Sequence, residues 1–63
     1  MNRILQGILK LINDTYYVSY SEGWPLEDLI PVWNASNIDR LLGQVVGFVI
    51  DFIDSKRVAV LYI

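Results

Sequence analysis

Sixty-three residues make one domain at most, spanning 1–63, and so small a body buries too little surface for a robust core of its own. The chain has neither Cys nor His, which excludes disulfides, thiolate metal sites and an imidazole base near neutral pH. The formal net charge is −2, and Arg3, Lys10, Arg40, Lys56 and Arg57 are scattered, which argues against phosphate binding as the main task.

Along the chain, the start Met-Asn-Arg-Ile-Leu-Gln-Gly lacks the basic, apolar and small-residue regions of a secretory signal, so a cytoplasmic protein is expected. The two glycosylation sequons, at Asn13 and Asn34, then read as chance. Residues 4–12 and 15–20 flank Asn13-Asp14, a tight-turn pair, and predict a hairpin. Residues 21–25 read as a loop and 29–33 as a short strand with Pro31 marking an edge. Residues 43–53 and 57–63 flank Asp54-Ser55-Lys56 and predict a second hairpin. About five to six short antiparallel strands in so short a chain predict a mostly β fold, a small closed or half-closed β-barrel. No apolar run approaches the roughly 18 residues of a membrane-spanning helix, so no membrane span is expected.

A second period competes with this reading. Arg40, Gln44, Gly47, Asp51 and Asp54 recur at helical spacing, as do Arg3, Gln6, Lys10 and Asn13. Two amphipathic helices, at a membrane surface or in an oligomer, are therefore the alternative. In the 40–54 stretch composition favours strand. Gly43 and Gly47 would each cost a helix interior about 1 kcal/mol, and Val45, Val46, Val49, Ile50 and Ile53 are β-branched. The first stretch is more evenly poised, because Leu5, Gln6, Leu9, Lys10 and Leu11 all favour helix.

Chemistry finds little footing. Glu27-Asp28 and Asp51/Asp54 are the local acid clusters, and neither has the spacing of a calcium loop. With no His and no Gly-x-Ser-x-Gly elbow in the sequence, Ser19, Ser21, Ser36 and Ser55 do not read as nucleophiles. Gly43-x-x-x-Gly47 lacks the lysine of a phosphate loop. A non-enzymatic chain with no cofactor and no metal is expected. Apolar residues reach 54%, against roughly 45–50% in ordinary domains, and the surplus reads as a partner-facing patch. Its most distinctive stretch is 24–33, with two Trp and two Pro in ten positions. Trp24, Pro25, Leu26, Leu29, Ile30, Val32 and Trp33 are the candidate partner-binding residues, because tryptophan is enriched at interface hot spots. Either Trp taken singly is expected in the core, but the segment as a whole is expected to be partly exposed.

With these segments laid out, the chain resembles the small barrel subunit of archaeal H/ACA ribonucleoproteins. The resemblance runs through Gly7-Ile8-Leu9, the strand 16–20, and Trp24-Pro25-Leu26-Glu27-Asp28 leading into Ile30-Pro31-Val32-Trp33-Asn34. It continues through Leu42-Gly43-Gln44-Val45 and Val58-Ala59-Val60. Ile50-Asp51-Phe52 stands where that family carries Gly-Pro-Val. The resemblance implies an accessory subunit of RNA-guided pseudouridylation and rRNA processing. Such a subunit docks on a larger protein, the pseudouridine synthase, with little direct nucleic-acid contact. In its last third the chain is similar to PRC-barrel domains, through Leu42-Gly43-Gln44-Val45-Val46-Gly47 and Arg57-Val58-Ala59-Val60-Leu61. That likeness implies an adaptor. A small viral or mobile-element interaction protein, or a homo-oligomer, completes the alternatives.

Overall fold

The structure, a computed structural model, describes residues 3–21 and 27–62. Five strands follow in chain order: β1 (Leu5–Ile12), β2 (Thr15–Tyr20), β3 (Asp28–Pro31), β4 (Val45–Ile53) and β5 (Lys56–Leu61). One 3-10 turn, Asp39–Leu41, precedes β4. The strands form a single sheet in the order β3-β2-β1-β4-β5, with every neighbouring pair antiparallel. The mostly β, half-closed barrel expected from the sequence is therefore present, with five strands.

Both predicted hairpins form around two-residue turns. Asn13 and Asp14 take φ of 50° and 63°, and Asp54 and Ser55 take 53° and 63°. Positive φ at both central positions is the type I′ pattern, whose twist matches that of the flanking strands. Lys56, expected in the second turn, instead opens β5 and pairs with Ile53.

Helical spacing at 40–54 loses to β-branching. Those residues fold as the 3-10 turn, a short bend and β4, and the N-terminal stretch folds as β1. Neither amphipathic helix exists, which corrects that alternative. Among the described residues, no helix is long and apolar enough to cross a membrane. β4 starts two residues later than expected because Gly43 takes φ of +79° in the bend, a conformation that glycine adopts without strain. The bend is tied to β1, since the Gly43 N–H donates to the Leu9 carbonyl and the Leu9 N–H to the Gln44 carbonyl.

Strand alternation sends Leu5, Gly7 and Leu9 of β1, Tyr16 and Val18 of β2, Ile30 of β3, Val46, Phe48 and Ile50 of β4, and Ala59 and Leu61 of β5 to the inner face. Leu9, Val18, Ile30, Phe48 and Ala59 are fully buried there. The Tyr20 ring meets the Phe48 ring edge-on at 5.6 Å between centroids. Ile38, just before the 3-10 turn, joins the same core cluster. The stretch between β3 and β4 thus contributes a core side chain, and the Tyr16 hydroxyl anchors it by donating to the Asp39 carboxylate.

The outer strands β3 and β5 approach one another to close the barrel partway. An odd number of strands in an antiparallel order leaves the two ends of the sheet parallel. A bridge between them, Val32 to Ala59, is parallel. The Trp33 N–H donates to the Ala59 carbonyl at 2.9 Å, and the Arg57 guanidinium meets the Asp28 carboxylate at 2.8 Å across the same seam.

Candidate functional site

β3 ends at Pro31, two residues earlier than the sequence reading. Pro31 has no N–H to donate, and Val32 turns from the sheet ladder to the bridge with Ala59. Val32 is held on both sides: its own N–H donates to the Tyr16 carbonyl at 3.0 Å, and the next N–H, of Trp33, donates to Ala59. Asn34 then takes φ of 55° and turns the chain away.

This backbone sorts the candidate partner-binding residues. Leu29 pairs with Ser19, and Pro31 with Tyr17, on the outer side of the sheet. Leu29 is 40% exposed, Pro31 is exposed, and Trp33 is 48% exposed. Leu29, Pro31 and Trp33 thus stand at every second position along one edge of the barrel, over roughly 14 Å. Ile30 points the other way, pairs with Val18 and is fully buried. It belongs to the core, which corrects its place among the contact residues. Val32 is half-buried and packs against the core. Trp24, Pro25 and Leu26 lie outside the described residues.

The start of β3 is held by polar contacts. The Ser19 hydroxyl donates to the Glu27 carboxylate, and Lys10 Nζ lies 3.4 Å from the same oxygen. The Ser19 hydrogen bond, followed by the Lys10 charge, holds the Glu27 carboxyl below its ordinary range. The Asp39 carboxylate, chiefly through its hydrogen bond and with help from burial, raises the Tyr16 hydroxyl above its ordinary pKa. Both contacts link segments distant in sequence, and both fix loop ends on β2. Among the described residues, no group of three or more acidic side chains gathers as metal ligands would.

Sequence reasoning missed a second exposed apolar surface. Ile4, Ile8, Val45 and Tyr62 lie on the outer side of β1, β4 and β5 and are 41–69% exposed. The available signal was the adjacency of apolar residues, Ile4-Leu5, Ile8-Leu9 and Val45-Val46. A strand that is apolar at both parities needs cover on both faces, and one barrel interior covers one of them.

Compared with known proteins, the chain matches no family, no curated protein and no solved structure.

Proposed function

We propose that this chain is a non-catalytic protein-binding domain that docks on a larger protein through the edge carrying Leu29, Pro31 and Trp33. One observation carries the reading: a half-exposed Trp33 ring on a backbone pinned to β2 on one side and to β5 on the other. An aromatic anchor fixed before binding loses little conformational freedom when it enters a partner pocket. The flanking Leu29 and Pro31 add apolar surface at low entropic cost, since proline is already rigid. The resemblance to the H/ACA barrel subunit supplies a specific partner, a pseudouridine synthase.

The test is a pull-down from native lysate with the wild-type chain and Trp33→Ala, read by mass spectrometry. Recovery of one defined protein by the wild type and its loss with Trp33→Ala, at an unchanged thermal midpoint, supports the docking edge. Equal recovery by both chains overturns it. Recovery of a pseudouridine synthase supports the H/ACA version, and a different defined partner removes that version while keeping the edge.

A further inference from the structure

The second apolar surface covers the outer side of β1, β4 and β5 and reaches the Trp33 edge at β5, where the Val32–Ala59 bridge sets Trp33 beside Val60. Gln6 pairs with Gly47 and Ile8 with Val45, while Val49 pairs with Val60. The Tyr62 N–H donates to the Gly47 carbonyl, which extends the β4–β5 ladder by one pair. Alternation therefore places Gln6 and Ile8 of β1 with Ile4 just before it, Val45, Gly47 and Val49 of β4, and Val60 of β5 with Tyr62 just after it on one outer face. None of the eight is charged, and Gln6 and the Tyr62 hydroxyl are their polar side-chain groups. Gly47 lies near the centre with no side chain of its own. A Cβ there would meet the Ile4 Cγ2 at 3.3 Å.

Charged side chains flank this face at its two ends, Lys10 with Glu27 at one, and Asp51 with Lys56 on the outer side of β5 at the other. Lys10 lies four residues beyond Gln6 along β1, and Asp51 four residues beyond Gly47 along β4. Because β1 and β4 are antiparallel, the two charges lie at opposite ends, equidistant from the Gln6–Gly47 row. A two-fold axis through that row, perpendicular to the strands and between two facing sheets, superposes the Lys10 end of one copy on the Asp51 end of the other. The same operation lays one uncharged centre on the other. A self-complementary patch is what a two-fold interface demands, and an uncharged centre with a charged rim is the composition of homodimer interfaces.

We propose that this face is a two-fold interface between two copies of the chain, with Gly47 near its axis and Lys10 opposite Asp51 at both ends. The inference does not rest on the docking role of Trp33. Area sets its strength. A standard interface takes about 800 Å² from each partner, about one sixth of this chain's 4872 Å². The uncharged centre spans three strands and three rows, roughly 10 by 14 Å between Cα positions. The dimer is therefore at the small end of specific interfaces and reversible. The Lys10–Glu27 pair within each copy is 3.4 Å long and half-exposed, so Lys10 remains open to a second carboxylate.

Sedimentation velocity from roughly 1 µM to 1 mM tests the interface. The wild type is expected to shift from monomer to dimer, and a monomer throughout overturns the proposal. Val45→Lys, at a side chain 64% exposed and so outside the core, is expected to weaken the dimer at least tenfold with an unchanged β-sheet circular dichroism spectrum. Lys10→Glu and Asp51→Lys are each expected to weaken it, and the double exchange to restore it, although the Lys10–Glu27 contact stays broken. Failure of the double exchange to restore the dimer overturns the two-fold register. Trp33→Ala, at the rim of the face beside Val60, is expected to weaken the dimer less than Val45→Lys does. A dimer lost with Trp33→Ala and kept with Val45→Lys overturns the assignment to this face without touching the docking role of the Trp33 edge.

Discussion

Gly7 has no room for a methyl group. It sits mid-strand in β1, pairs with Val46, and faces inward. A Cβ at this position would lie 2.5 Å from Val18 Cγ1, 2.6 Å from the Ser19 carbonyl oxygen and 3.3 Å from Phe48 Cε1. The carbonyl belongs to the β1–β2 ladder, and Val18 and Phe48 are fully buried, so none of the three can step aside freely. Overpacking a core costs typically about 1–3 kcal/mol, and a clash with backbone falls at the upper end. Against a total stability of roughly 3–9 kcal/mol for a chain this long, Gly7→Ala removes about a fifth or more. With a urea slope of about 1 kcal/mol/M, the midpoint should fall by about 2–3 M. Gly47→Ala is the control, because its nearest neighbour is the end of the half-exposed Ile4 side chain. Its midpoint should move by about 0.5 M or less. A Gly7→Ala chain as stable as Gly47→Ala would refute the close approach of β1 to β2 and β4 on which this core depends.

Two further outcomes follow from local chemistry. Ser55 holds φ of 63° without the Asx-type tolerance of Asp or Asn, so Ser55→Gly should stabilise the second hairpin by about 1 kcal/mol, read as a rise in the urea midpoint. The Glu27 carboxyl is held below its ordinary value in the fold, so its contribution is fully present above the carboxylate range and is lost as pH falls through the lowered pKa. Thermal midpoints from pH 7 to pH 2 should therefore decline less steeply for Glu27→Gln than for the wild type. Parallel declines would show that the Ser19–Glu27 contact does not couple to folding.

Local sequence determined much of this protein. Asn13-Asp14 and Asp54-Ser55 announce their hairpins because few residues accept two successive positive φ values. The β-branched residues of β4 prevail over a helical spacing of polar residues, since Cβ branching acts at five of its nine positions and the spacing touches only Gly47 and Asp51 there. Composition marked the segment 24–33 as partly exposed, but Trp33 taken singly read as core, and the structure leaves it 48% exposed. Only the tertiary structure decided which neighbour faces out: Leu29 and Ile30 are both apolar, and the register against β2 alone sends one to solvent and the other to the core. The parallel seam at Val32 and Ala59, the arrival of Ile38 in the core and the crowding at Gly7 likewise depend on segments far apart in the chain meeting at one place. Such contacts follow from how a five-strand sheet curls and closes, and no short window of sequence contains both partners.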